Sequence, residues 1–548
     1  MPRTTLGLFG AFAAMGVLLV VPLHGLSAAG TFALATMVFA AVLWITEGLP
    51  LPATALCVPI LLTLFGVFPT MAGALAGFAD PVVFLLLAGF VLAEALQRHG
   101  IDRRIAYRLV ARLGTSPRRL VLAVMVATAL LSMVVSNSAT TAMMVPIALG
   151  VAREIHGHHG TPTRPDATGE PADRAEPGDR AEPGDRGKQS KPDERGERPE
   201  RPEQVEPRTA SNLEVSLLLG TAYAASIGGV GTIIGTPPNA IVVAQLDAAL
   251  DVHIGFLDWL VVGLPLVAVG LPLAWYLLAF YLFPPEVEEV GRAQAHAETA
   301  LAAMGPLSPA GRRTLAITAL TAGLWVLGGL DFLFEGVLPP AWYATLFGGA
   351  GSIVGTAHQG VLFYVLVGLA AVPALLVTDC IEWDDVMAID WGTLVLLGGG
   401  LALANGLAAT DATRWLAEAT FGQLVGASIL VVALAVVAVT VFLSELASNT
   451  AVVAIFAPVL VTIGPRYAAS LGTTGETAAV FLAVTGAVAA SFGFALPVAT
   501  PPNAIAFGTG SLTREHMLRA GVRLDLLLIL VTTVTMLATF LVVWPLVF

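Results

Sequence analysis

Apolar runs recur along the chain at 7–23, 31–47, 52–68, 80–97, 213–233, 257–283, 314–335, 358–378, 391–408, 474–496 and 522–548. Each is near the roughly 20 helical residues that a bilayer core requires, so the pattern predicts about eleven transmembrane helices. Two further apolar segments, 119–152 and 425–464, are each interrupted by a Ser-Asn tripeptide. Such an interruption predicts a re-entrant helical hairpin, which enters and returns on one side of the membrane. The expected fold is an all-α polytopic membrane protein. The run at 7–23 lacks an A-x-A-like site followed by soluble sequence, so it reads as a membrane helix and not as a signal peptide.

The interruptions come in pairs. SNSATTAMMVP begins at Ser136 and ends at Pro146, and SNTAVVAIFAP begins at Ser448 and ends at Pro458. Each is followed by a second matched element, GTPPNAI at 235–241 and ATPPNAI at 499–505. LLLAGFVLAEAL at 85–96 likewise matches LLGGGLALANGL at 396–407. Polar, helix-breaking backbone at membrane depth is tolerated only where it lines a cavity or is buried in protein. Broken helices at corresponding positions of two repeats therefore point to a transport site. Capping alone would explain one Ser-Asn-Thr; four elements paired by repeat, with Gly228, Gly229 and Gly231 before one Pro-Pro-Asn and Gly493 before the other, favour a site.

Orientation follows from the basic loops. Arg98, Arg103, Arg104, Arg108, Arg112, Arg118 and Arg119 form one, Arg292, Arg312 and Arg313 a second, and Arg514, Arg519 and Arg523 a third. Counting spans makes all three cytoplasmic, with the N-terminus cytoplasmic and the C-terminus extracytoplasmic in a multi-pass plasma-membrane protein. The first hairpin then opens from inside and the second from outside, which is an inverted repeat suited to alternating access.

Charge is unevenly spread. Of 66 charged side chains, 25 fall between Arg153 and Arg208. Residues 156–209 read as an inserted, disordered cytoplasmic loop, with its DRAEPG period and no aromatic residue. His156, His158 and His159 could bind metal there, but a solvated loop is the plainer reading. A net charge of −12 without a basic stripe excludes a nucleic-acid partner. Cys57 and Cys380 are isolated and indicate neither a disulfide framework nor a thiolate metal site.

Each interrupted helix exposes N–H groups at a positive dipole end, which favours an anion, while carbonyls, hydroxyls and Asn oxygens favour a hard cation. No Lys or Arg lies in the four elements. An anion would thus be held by dipoles, polar side chains and co-bound cations, and those cations would reduce the charge carried across the bilayer. Glu47, Glu94 and Glu445 lie in or near apolar segments and raise proton coupling as the alternative.

These motifs, with WITEGLPLPATAL at 44–56, GFADPVVFLLLAGFVLAEAL at 77–96, GGVGTIIGTPPN at 228–239, DWGTLVLLGGGLALANGL at 390–407 and SELASNT at 444–450, resemble the divalent anion:sodium symporters. The likeness covers nearly the whole chain outside the insertion, with Ser138 where the family usually has Thr. It implies one sodium site at Ser132, Ser136, Asn137 and Gly229, and another at Ser444, Ala447, Asn449 and Ala499. It also implies substrate binding at Asn137, Ser138, Asn449 and Thr450, with Thr236, Pro237, Thr500 and Pro501 shaping the cavity and Asn239 and Asn503 holding the unwound loops. By the same resemblance the protein is a homodimer. A scaffold of 1–116 and 312–424, preceded by a cytoplasmic loop from 284, supports an elevator-type transport unit of 117–283 and 425–548. Sodium is the co-transported ion, at two or more sites, and no organic cofactor is implied. C4-dicarboxylates such as succinate, malate and fumarate are the expected substrates; sulfate, or sodium-independent exchange, is the alternative. An enzyme or receptor would need a concentrated catalytic or recognition group that this sequence lacks, since acid pairs such as Asp384-Asp385 sit in a short loop.

Overall fold

The structure, a computed structural model, describes residues 3–155, 210–287, 290–353, 355, 358–421 and 426–547. The insertion 156–209 and its three histidines lie outside the described residues. Among the described residues the fold is helical apart from one two-residue strand pair, in which Gly348 faces Gln359. Among the described residues seven helices are long and apolar enough to cross a membrane: Ala28–Thr46, Pro81–Arg98, Phe256–Leu282, Trp391–Ala409, Ile429–Leu446, Asn449–Leu471 and Arg514–Val543. Shorter apolar helices run over Thr4–Val20, Leu51–Leu64, Tyr364–Val377 and Gly475–Ala490. Side chains such as Val20, Leu64, Val377 and Val534 stand exposed on their flanks, as expected where lipid replaces water.

The helix starts obey local chemistry. Asp80 accepts a hydrogen bond from the Val82 amide at 2.9 Å with Pro81 in the first turn. Ser116, Ser308 and Ser211 cap the helices that follow them in the same manner, and proline at a first position loses no hydrogen bond the helix needs. The stops are equally local. The apolar run at 213–233 is helical only to Gly229 and that at 474–496 only to Ala489; the chain then unwinds until Pro237 and Pro501 start new helices. Glycine and the Pro-Pro pair, poor helix formers, override hydrophobicity there. Segments 119–152 and 425–464 are each two helices meeting at the Ser-Asn tripeptide, Pro117–Ser132 with Asn137–Ile155 and Ile429–Leu446 with Asn449–Ile463.

The three basic loops gather at one end of the molecule. Arg98 pairs with Glu382 at 2.6 Å and with Asp385, so of the Asp384-Asp385 pair it is Asp385 that is held in an ion pair. Arg104 donates to the carbonyls of Gly305 and Met304 at 2.7 and 2.8 Å. The Arg118 guanidinium lies 4.4 Å from the Phe280 ring centre, and that of Arg519 lies 5.8 Å from that of Phe283. Both outer ends of the first interrupted segment lie here, because the Arg118 carbonyl accepts from Trp275 Nε1 at 2.8 Å and Gly150 adjoins His296. A second group of contacts ties Arg466 to Glu418 at 2.7 Å and Trp415 Nε1 to the His24 carbonyl at 3.1 Å.

Packing crosses between the two halves. The Pro237–Leu250 helix lies on Asn449–Ile463 and Gly475–Ala489, while Pro501–Gly508 lies on Asn137–Ile155 and Asn212–Gly229. Each Pro-Pro-Asn helix is thus seated on the Ser-Asn helix of the other half. Within the first half, helices approach backbone to backbone at Gly228, where a Cβ would sit 2.5 Å from Ala129 Cα and 2.8 Å from its carbonyl carbon. Backbone cannot yield as a side chain does, so Gly228→Val is expected to cost about 3 kcal/mol or more of stability. Size-exclusion yield and thermal unfolding in detergent check this; a monodisperse variant with unchanged unfolding temperature contradicts it.

Candidate functional site

The first half of the site is built around Ser132 and Asn137. Ser132 Oγ is fully buried and donates to the Ala225 carbonyl at 2.8 Å, crossing from one helix to the next. The same hydroxyl lies 2.6 Å from the Asn137 amide. That amide admits two orientations. With nitrogen inward it donates to Ala225 O at 3.1 Å, Gly235 O at 3.2 Å and Ser132 Oγ at 2.6 Å. With oxygen inward, the same position makes a cluster of four oxygens, which is the ligand chemistry of a hard cation and a poor arrangement without one. Gly229 abuts this amide, and any Cβ there would strike it. Ser136 accepts from the Ala139 amide at 3.4 Å in the first turn of the helix, and Ser138 is half-buried.

The unwound segment between Gly229 and Pro237 is held from three directions. Asn239 Nδ2 donates to the Gly229 and Thr232 carbonyls at 3.0 and 2.7 Å, Trp259 Nε1 donates to the Val230 carbonyl at 2.9 Å, and the Thr232 hydroxyl donates to the Met133 carbonyl. Buried backbone carbonyls that leave a helix need such partners. Thr236 is buried at the N-cap of the next helix, and its side chain makes no capping bond.

The second half repeats this design with different fastenings. Ser444 Oγ, also fully buried, donates to the Ala490 carbonyl at 2.8 Å. Ala447 is extended, with φ −140° and ψ 162°, so the chain leaves the helix there. Asn449 Oδ1 is buried with no protein partner, an arrangement that costs free energy unless a ligand completes it. Asn503 Nδ2 donates to the Gly493 and Leu496 carbonyls at 2.9 and 3.0 Å, as Asn239 does in the other half. Gly493 packs against the Ser444 carbonyl and Ala499. Thr450, Ala499 and Thr500 are buried, whereas Pro501 is exposed.

Two acids brace this second loop. Glu445 accepts from the Ala495 and Leu496 amides at 2.8 and 2.9 Å, and Asp525 accepts from the Phe494 amide at 3.3 Å. The Phe494 carbonyl accepts from Tyr223 OH at 3.1 Å, a bond between the halves. Glu445 is therefore a loop anchor. Asp525, Tyr223 and Trp259 were not singled out from the sequence. Asp525 had a legible signal, an acid inside the run 522–548; the two aromatic residues had none, since aromatic residues are ordinary in apolar helices. Glu47 stands at a helix end in the left-handed conformation, φ 49°, away from these loops.

The profile of the family described as "Sodium:sulfate symporter transmembrane region" matches residues 3–547. A sodium-dependent dicarboxylate transporter SdcS of Staphylococcus saprophyticus is 31% identical, covering 92% of this chain and 85% of that one. An uncharacterized transporter of Haemophilus influenzae is 32% identical over 91% and 89%. Among solved structures, the Alcanivorax borkumensis YdaH transporter aligns with a TM-score of 0.52 at 15% identity, covering 94% of this chain and 99% of that one; at that identity it speaks for the fold alone. A match over nearly the whole length, joined to paired Ser-Asn and Pro-Pro-Asn elements that fold as described, leads to one conclusion: the chain belongs to the sodium:sulfate symporter family of divalent anion:sodium symporters, which are membrane transporters and not enzymes.

Proposed function

We propose that this protein imports C4-dicarboxylates together with sodium, the two Ser-Asn tips holding the ions and the anion side by side. The single observation that carries this reading is the doubled arrangement of a buried serine bonded to a carbonyl near the end of a neighbouring helix, Ser132 to Ala225 and Ser444 to Ala490, beside an asparagine at a helix start. Sodium binds at Ser132, Ser136, Asn137 and Gly229, and at Ser444, Ala447, Asn449 and Ala499. Oxygen-inward rotation of Asn137 accompanies loading of the first site and turns its Nδ2 outward as a donor. The substrate carboxylates meet Asn137, Ser138, Asn449 and Thr450 at helix N-termini, where the dipole favours an anion, with Thr236, Pro237, Thr500 and Pro501 around them. Because no arginine or lysine stands in these elements, the sodium ions supply the compensating charge.

The two interrupted segments are re-entrant hairpins in an inverted repeat of about eleven spans. The outer ends of the first hairpin, near Trp275 and His296, support this. The gathered basic loops face the cytoplasm, and the C-terminus faces out. The transport unit, 117–283 and 425–548, slides as an elevator against the scaffold, 1–116 and 312–424, in a homodimer. If one net positive charge enters per cycle, about 2.3 kcal/mol per 100 mV is available, roughly a 50-fold accumulation before the sodium gradient is added.

Radiolabelled uptake into proteoliposomes tests the reading. Succinate is expected to accumulate under an inward sodium gradient and to stop when choline replaces sodium. Accumulation of sulfate instead moves the substrate to the inorganic anion, and equal succinate uptake in choline removes sodium coupling.

A further inference from the structure

The end of the molecule opposite the basic loops carries the reverse charge. The Phe256–Leu282 helix brings Phe280 to Arg118 at the basic end, so its Phe256 start lies at the other. The Pro81–Arg98 helix likewise runs from Asp80 at that far end to Arg98 among the basic loops. Asp80, Asp247, Asp251 and Asp258 gather there, and residues 210–291 and 314–413 contain no Lys or Arg. Among the described residues Asp80, Asp251 and Asp258 form no ion pair. Such charge repels a dianion and concentrates cations.

Within that acidic end three side chains converge. Asp247, Asp251 and His253 each bring a ligand atom to within 4.8 Å of those of the other two. Asp247 and Asp251 are one turn apart at the end of the Pro237–Leu250 helix. Asp251 takes the left-handed conformation there, φ 58°, and the chain turns so that His253 Nδ1 lies 2.6 Å from Asp247 Oδ1. An ion pair accounts for those two residues and leaves Asp251 without opposite charge. A metal ion accounts for all three, since bonds of about 2.0–2.2 Å put neighbouring ligand atoms roughly 3 to 4 Å apart. Asp251 and His253 are exposed, and His253 also lines a cavity of about 610 Å³. That cavity gives the ion a path from solvent and room for the waters that complete its coordination.

We propose that Asp247, Asp251 and His253 bind a divalent transition-metal ion at the outer junction of transport unit and scaffold, and that the bound ion brakes transport. Zn2+ is the best match to one imidazole and two carboxylates. Asp80, on the scaffold side, lies within the field of Asp247, and the helices that bear them pack on one another. The cavity spans the same junction, with His253 and Asp258 on one side and Trp325, Asp331 and Tyr364 on the other. A dication held there attracts Asp80 to the end of the Pro237–Leu250 helix and resists sliding of one unit past the other. The brake rests on the elevator reading above; the metal site does not.

Binding is tested with Zn2+ and Co2+ on the chelator-stripped, full-length protein in detergent, with His156, His158 and His159 changed to asparagine so that no second imidazole cluster competes. Titration calorimetry is expected to give one Zn2+ per chain, and Co2+ to give visible d–d bands that added Zn2+ removes. His253→Ala and Asp251→Asn should each weaken binding at least about tenfold, while His296→Ala, at the basic end, leaves it unchanged. Both ligand residues are exposed, so folding is not at stake. Binding that neither variant weakens is an adventitious ion only and overturns the site. Zn2+ added to the outer face of oriented proteoliposomes tests the brake: the wild type should lose most of its succinate uptake, and His253→Ala, with wild-type uptake in the absence of zinc, should keep it. Binding that depends on His253 but leaves uptake unchanged overturns the brake. Failure of the zinc-free wild type to take up succinate removes the transport reading, and calorimetry still decides the site.

Discussion

Asn137→Ala and Asn449→Ala are each expected to lower sodium-driven uptake about 100-fold, equivalent to roughly 2.7 kcal/mol, while the protein remains folded. Asn137 sits within hydrogen-bond distance of Ser132 Oγ and of the Ala225 and Gly235 carbonyls, and alanine removes the one group that can face them as either donor or acceptor. Asn449 Oδ1 is buried with nothing bonded to it, so its removal costs the resting fold little and the loaded state much. The two effects should differ in kind: Asn137→Ala also loosens the loop carrying Gly235, whereas Asn449→Ala leaves unfolding temperature near wild type. Uptake and thermal unfolding, measured on the same preparations, check both. Wild-type rates in either variant would remove that residue from the site.

Glu445→Ala is expected to have the largest effect on stability. Its carboxyl group holds the Ala495 and Leu496 amides, and leaving two buried N–H groups unpaired costs about 2–6 kcal/mol. Glu445→Gln keeps one acceptor and should fall between, and Asp525→Asn, which still offers an oxygen to the Phe494 amide, should be mildest. Hydrogen exchange at 494–496 together with unfolding temperature reads the order. Equal stability of all three variants would mean that Asn503 and Tyr223 hold the loop without the two acids.

Much of the fold was legible because its signals are local. Apolar runs marked the helices, and glycine with Pro-Pro marked where runs 213–233 and 474–496 unwind, although the pattern alone carried both runs too far. The role of Asn239 and Asn503 was also legible, because an asparagine beside an unwound segment has few other duties, and each bonds two loop carbonyls. Asp525 and Trp259 escaped because their partners, Phe494 and Val230, are backbone atoms 31 and 29 residues away.

Helices, their breaks, the doubling of the breaks and the want of basic side chains around them all follow from local order, since propensity, capping and hydropathy act within a few residues. Which hydroxyl meets which carbonyl does not. Ser132 reaches Ala225 across 93 residues, and Tyr223 reaches Phe494 across 271. Those meetings exist because helices close on one another at points such as Gly228 against Ala129, and such approach is a property of the packed whole.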